Sequence, residues 1–245
     1  MTARAEPGVA RGQSARRHEP AVAETRDTRR LERSDFQHDP LVVAPQLLGK
    51  LLQRGPLLAR IVEVEAYRGA SDAASHAYRG KTARNATMFG PPGYLYVYFT
   101  YGMHHCANVV CCPDGEAGAV LIRALAPLGG LEVMAARRFG GREPATASRL
   151  SDGIQAREAR GWRGEDLCSG PAKLCQAFGL DRDADGFDLV GGSDGIVLLD
   201  DGTPPPEKPS SGPRIGLARS CAARDEPWRW WVPGDLCVSG RRSGR

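Results

Sequence analysis

Lysine is scarce in this 245-residue chain: of 33 basic residues only Lys50, Lys81, Lys173 and Lys208 are lysine, and the rest are arginine. No apolar run approaches the ~18–20 residues that a membrane span needs, and the sequence does not open on a hydrophobic signal segment. A membrane protein and an ordinary secreted protein are therefore not expected. The seven cysteines include no C-x-x-C pair and their number is odd, so a zinc knuckle or a disulfide framework lacks the spacing it requires. His104, His105 and Cys106 are consecutive, but adjacent strand residues point to opposite faces, which argues against one shared metal. The expectation is buried, reduced thiols in a cytoplasmic protein without a metal site. With 41% hydrophobic and 25% charged residues, the balance is that of one globular domain with a tail rather than of a disordered chain.

The formal net charge of +4 is unevenly spread. Residues 1–40 hold eight arginines against seven acids and few large apolar side chains. Such a stretch buries too little apolar surface to offset its ordering entropy, so 1–33 is read as a charged, disordered tail. A basic nucleic-acid-binding arm finds weak support in so even a balance, and the acids disfavour a mitochondrial presequence. Residues 41–110 carry seven bases and three acids, and all six tyrosines (Tyr67, Tyr78, Tyr94, Tyr96, Tyr98, Tyr101) fall between residues 67 and 101. Bases and aromatics together suit a surface that meets phosphates and nucleobases. A tyrosine-rich core strand beside a solvated loop explains the same pattern about as well.

Leu41–Leu52 reads as a short helix leading into a strand. Leu57–Tyr67 reads as a strand with Val62, Val64 and Ala66 on one face and Ile61, Glu63, Glu65 and Tyr67 on the other. Residues 68–93 form a long loop, of a length that is more often functional than idle. Tyr94–Phe99 is a second strand, Thr100–Met103 a hairpin turn with Tyr101 at its tip, and His104–Cys112 a third strand. Ala119–Leu125 is a fourth strand, followed by a helix near 130–138 and an insertion over 139–163. From Ser169 to Gly179 the sequence follows helix grammar: a capping Ser169, an early proline and a terminal glycine. Residues 181–212 look like turns and short strands; Arg214–Leu217 and Trp228–Val232 read as late strands.

Glu63 and Glu65 stand at i and i+2, roughly 6.5–7 Å apart along a strand. That separation suits an inverting glycosidase, but there the carboxylates flank the scissile bond rather than lie side by side. One carboxylate activating water against an aromatic wall is the simpler arrangement. Taken alone, a strand glutamate is more often a solvated or ion-paired residue.

In combination the blocks are specific. Val62-Glu-Val-Glu-Ala-Tyr67, His76, Arg84-Asn85 with Met88-Phe89, Tyr94-Leu-Tyr-Val-Tyr-Phe-Thr-Tyr-Gly-Met103, Asn108, Leu121-Ile-Arg-Ala-Leu125 and Leu167-Cys-Ser-Gly-Pro-Ala-Lys-Leu-Cys-Gln-Ala177 occur in that order. Between about Leu41 and Val238 the chain resembles the methylpurine (3-methyladenine, alkyladenine) DNA glycosylases. The resemblance implies an α+β fold, a single compact mixed domain around a curved antiparallel β-sheet with flanking helices and a β-hairpin that enters DNA. It implies domain limits of 34–240, a short C-terminal tail at 241–245, neither metal nor cofactor, and a monomer acting in the bacterial cytoplasm on double-stranded DNA with damaged purines.

The roles implied by the resemblance are specific to residues. Glu65 is the base that activates water, and Arg123 and the backbone carbonyl of Ile215 hold that water. The flipped purine stacks between Tyr67 and the pair His76 and Tyr98, with backbone N–H groups around Ala74 and His76 as donors to neutral lesions. Asn108 obstructs the 2-amino group of guanine. Tyr101, with Met103 beside it, fills the space that the flipped base leaves, and Arg84, Lys173 and Arg214 meet the DNA backbone. Water as nucleophile implies an abasic product without strand cleavage. Two other readings remain: a non-catalytic binder of distorted DNA on the same fold, and a small carbohydrate hydrolase with no DNA affinity.

Overall fold

The computed structural model of the protein describes residues 28–140 and 162–240. The tail up to residue 27, most of the 139–163 insertion and the 241–245 tail lie outside the described residues. Nine strands are described: β1 (Arg29–Arg30), β2 (Leu51–Arg54), β3 (Leu57–Tyr67), β4 (Leu95–Thr100), β5 (His104–Val110), β6 (Ala119–Gly129), β7 (Ile196–Asp200), β8 (Ser210–Gly212) and β9 (Arg229–Trp231). Four helices accompany them: α1 (Pro40–Leu47), α2 (Leu131–Phe139), α3 (Gly164–Leu167) and α4 (Pro171–Phe178).

The strands form one curved sheet in the order β1-β7-β2-β3-β6-β5-β4, with every pairing antiparallel. β3 is its centre. One edge of β3 pairs with β6, while the other is shared between β2, along residues 57–60, and β9, along residues 63–65. The sheet therefore forks at the middle of β3, and β9 carries β8 on its far side.

Two irregularities at that fork correct the simple alternation expected for β3. Ile61 lies opposite Leu125 and Glu63 opposite Ala124, so Val62 is an extra residue; Val64 then lies opposite Ile122, which makes Arg123 an extra residue on β6. A bulge shifts the phase of side chains and bends the strand. Ile61 consequently joins Val64 and Ala66 in the main core, whereas Val62 packs with Ala124, Cys237 and Val238.

The helices follow local chemistry. α1 opens with Pro40 after Asp39, whose carboxylate accepts from the Leu41 N–H at 2.9 Å. α4 begins at Pro171 and stops at Gly179, which takes the left-handed conformation with φ of 64°. Its cap is Gly170 rather than the expected Ser169, whose hydroxyl instead accepts from Lys173 Nζ at 3.0 Å. Arg54 donates to the terminal carbonyls of Phe178 and Gly179, where a cation complements the helix dipole. Val43, Ala44 and Leu47 of α1, Met134 of α2 and Leu174 and Phe178 of α4 are buried with the sheet's apolar face in one core.

Two further boundaries differ from the sequence reading. Residues ahead of 34 belong to the fold: Arg29 and Arg30 pair with Asp200 and Leu199, and Leu31 is buried. Residues 214–217 are not a strand, because their polar groups turn inward onto acids of β3 and of the following loop.

Gly69, at the start of the loop after β3, has φ of 58°, and a Cβ there would overlap the Ala117 carbonyl oxygen. Gly69→Ala should therefore lose stability by more than the ~1 kcal/mol of an ordinary glycine replacement. The shift in urea midpoint relative to Gly55→Ala, where nothing lies within 4 Å of the added methyl, checks this.

Candidate active site

The end of β3, the β4–β5 hairpin, the loop after β3 and the 213–217 loop converge on a cavity of about 280 Å³. Tyr67, Ala74, His76, Tyr98 and Asn108 all line it, and Tyr101, Arg123 and Ile215 border it as well. Glu65 sits beneath this lining, with 0% of its surface exposed.

Glu65 is held by three donors. Its Oε1 accepts from Arg123 at 3.0 Å and from the Ile215 N–H at 2.7 Å, and its Oε2 accepts from the Tyr67 hydroxyl at 2.9 Å. Ile215 thus engages Glu65 through its N–H, while its carbonyl is the atom expected to hold the attacking water. Burial raises the Glu65 pKa above its usual value of 4.5, against the pull of Arg123, the Ile215 N–H and Tyr67. The Tyr67 hydroxyl is pushed well above its ordinary pKa by burial and by the Glu65 charge, so it stays a neutral donor.

Behind Arg123 stands the second glutamate of the pair, which the sequence reading set aside. Glu63, also 0% exposed, accepts from Arg123 Nε at 3.1 Å, from Arg229 at 2.9 Å and from the Ser239 N–H at 2.6 Å. Ser239 Oγ in turn accepts from the remaining nitrogen of Arg123 at 3.2 Å. Arg229 and Ser239 went unnoticed because they are 166 and 176 residues from Glu63 and carry no local motif.

A second buried ion pair corrects the expected role of Arg214. Its guanidinium is fully buried and forks onto Asp72, at 2.6 and 2.9 Å, so it does not face a DNA backbone. It also donates to the Ala66 and Ala223 carbonyls and lies 4.7 Å from the Tyr67 ring centre and 4.9 Å from that of Trp228. Asp72, absent from the sequence-based site, accepts further from the Arg68 and Ala74 N–H groups. The Ala74 N–H is thereby committed to the loop itself, unlike the ligand-facing donor that was expected.

The aromatic walls come from alternate positions of β4. Tyr96 and Tyr98 share one face, and His76 meets Tyr98 edge-on with ring centres 4.4 Å apart. His76 Nδ1 lies 3.0 Å from the Tyr96 hydroxyl, so Tyr96, to which no site role was assigned, shapes the cavity too. Burial and the Arg84 charge lower the His76 pKa, which favours a neutral ring; burial lifts the Tyr96 pKa to about 12. Asn108 donates to the Tyr96 carbonyl at 3.0 Å and is buried across the two hairpin strands.

At the hairpin tip Tyr101 is 76% exposed and Met103 is 66% exposed. Tyr101 has φ of 50°, a left-handed conformation uncommon for an aromatic residue, and Gly102 follows at 67°. Its hydroxyl lies 3.4 Å from the Gly216 carbonyl, which sets the tip beside the loop that reaches Glu65. Arg84 is exposed on the long loop and donates to the Phe99 carbonyl at 3.2 Å, next to this tip. Most of the basic excess of residues 41–110 lies elsewhere: Lys50 pairs with Asp200, Arg60 with Asp201, Arg68 with Asp39, and Arg54 caps α4.

The family profile described as Methylpurine-DNA glycosylase (MPG) matches residues 34–236. A Burkholderia cenocepacia protein named as a 3-methyladenine DNA glycosylase is 53% identical over 209 residues, covering 85% of this chain and 90% of its own. Similarly named proteins from Streptomyces avermitilis and Koribacter versatilis are 44% and 46% identical, over 87% and 86% of this chain and 92% and 94% of theirs.

Removing one partner of a buried ion pair leaves an uncompensated charge, at a cost of about 3–5 kcal/mol. Asp72→Ala should show a loss of that size in urea unfolding. Arg29→Ala, which breaks the exposed pair with Asp200, should lose less than about 1 kcal/mol.

Proposed function

The chain belongs to the methylpurine-DNA glycosylase family, and from that premise we propose how this DNA glycosylase works: it flips an alkylated or deaminated purine out of duplex DNA and hydrolyses its N-glycosidic bond with a water activated by Glu65. The substrates are 3-methyladenine, 7-methylguanine, hypoxanthine and ethenoadenine, and the product is an abasic site. The observation that carries this reading is Glu65 itself, a buried carboxylate with three donors under an aromatic cavity. An ionised carboxylate offers about four acceptor positions. The fourth, on Oε2, takes the hydrogen of the attacking water.

Flipping is required because the anomeric carbon is out of reach inside the base stack. Tyr101, already exposed on a strained turn, enters the duplex and occupies the vacated space, with Met103 alongside. The purine then lies between Tyr67 and the pair His76 and Tyr98, whose electron-rich faces attract a cationic alkylated base beyond its contact area. Asn108, fixed to the Tyr96 carbonyl, crowds the 2-amino position of guanine. As the bond breaks, positive charge grows on the sugar and the Glu65 carboxylate stabilises it. Alkylation at N3 or N7 has already neutralised the leaving group; a neutral purine needs a hydrogen bond, which falls to the His76 N–H. Arg84 and Lys173 contact phosphates beside the site.

Glu65→Gln should lower the single-turnover release of damaged purines from duplex oligonucleotides by at least ~10²-fold, the usual scale of general-base catalysis. Because the base must be ionised and its pKa is raised, the wild-type rate should fall on acidification at a pH above the 4.5 of a free glutamate. Full turnover in Glu65→Gln would reject the mechanism. Tyr101→Ala should weaken binding to a lesion-bearing duplex by about 1–3 kcal/mol, the value of one stacked aromatic, as measured by fluorescence anisotropy.

A further inference from the structure

We propose that Glu63 is a positioning residue for this reaction: by engaging Arg123 Nε and the Ser239 N–H it fixes which edge of Arg123 faces Glu65, and so keeps one acceptor position of Glu65 open for water. The inference rests on Glu65 acting as the base. Glu63 is wholly buried and does not border the cavity; its hydrogen-bonded link to the site runs through Arg123. A buried carboxylate is costly and persists where its partners compensate it. Here those partners are Arg123, Arg229 and the Ser239 N–H, which hold the cluster from β6, β9 and the C-terminal segment.

The geometry of a guanidinium explains the need. Its planar fork pairs readily with both oxygens of one carboxylate. Were Arg123 free to turn, it would fork onto Glu65 and occupy the position that the water requires. With Nε drawn to Glu63 and the third nitrogen to Ser239 Oγ, Arg123 offers Glu65 one nitrogen, at 3.0 Å to Oε1. The charge of Arg123 is also divided between two carboxylates, which leaves Glu65 a stronger base than a simple ion pair would. The other charged or titratable groups around the cluster are Arg229 from β9, Tyr67 from β3, Tyr98 from β4, Cys106 from β5, and Arg214 with Asp72 from the loops.

The test is the pH dependence of single-turnover release from a duplex carrying 7-methylguanine. In Glu63→Gln the negative charge beside Arg123 is lost, and with it the charge-assisted hold on Arg123 Nε. The acid limb should move down by about 0.5–2 pH units. The plateau rate should fall about 10–100-fold, with affinity for the lesion duplex unchanged within about twofold. Arg229→Gln removes a positive charge yet leaves Arg123 held by Glu63, so its acid limb should move up. Opposite shifts from two partners of one cluster do not arise from loosened structure alone. An acid limb unmoved in Glu63→Gln overturns the proposal; if that variant does not fold, an unmoved or lowered limb in Arg229→Gln overturns it. Glu65→Gln separates this from failure of the mechanism itself: full turnover there removes the base, whereas its loss with unmoved limbs removes only the role of Glu63.

Discussion

One guanidinium sets the constraint on which the site depends. Arg123 lies between two fully buried carboxylates and pairs with both. Its position is a consequence of sheet irregularity: it is the extra residue of β6 where β3 parts from β2 and takes up β9. In a regular ladder its neighbours would alternate strictly across the sheet. The bulges bring Glu63, Glu65 and Arg123 together beside the C-terminal segment, and the apolar residues next to them are divided between two cores. Fold and chemistry therefore share the same defect in the sheet.

The Asp72–Arg214 pair does for the walls what Arg123 does for the floor. Asp72 ties down the loop that bears Ala74 and His76, and Arg214 fastens the following loop to the end of β3 while backing the Tyr67 ring. Ile215 is then placed to give its N–H to Glu65. Segments 142 residues apart in sequence are joined at hydrogen-bond distance. A flat substrate needs walls at a constant separation, and buried bidentate ion pairs fix separation better than flexible apolar contacts do. The exposed aromatic tip is the opposite case, an apolar side chain held in water by a left-handed backbone beside a glycine.

Much of the scaffold was legible from local pattern. β3, the tyrosine strand, its hairpin and the helix after Gly170 follow from alternation, turn residues and proline–glycine punctuation. Local pattern misread the places where long-range polar contacts dominate. Arg214–Leu217 has the composition of a strand, but its N–H and guanidinium groups are taken by Glu65 and Asp72. The basic excess of residues 41–110 looked like a phosphate-facing surface, yet four of its members are spent on ion pairs or a helix end away from the cavity. Counting charges along the chain does not show which of them meet an acid in space.

The sequence by itself determined the family, the central strand with its two glutamates, and the tyrosines on one face of the hairpin, because strand periodicity and motif order are local properties. Only the tertiary structure decided that Glu63 has a partner in Ser239, that Arg214 is buried against Asp72, and that the phase of β3 shifts at Val62. Each of these depends on how distant segments stack around a forked sheet. A buried charge is stable only beside its counter-charge, and which segment supplies it is settled by packing rather than by neighbours in the chain.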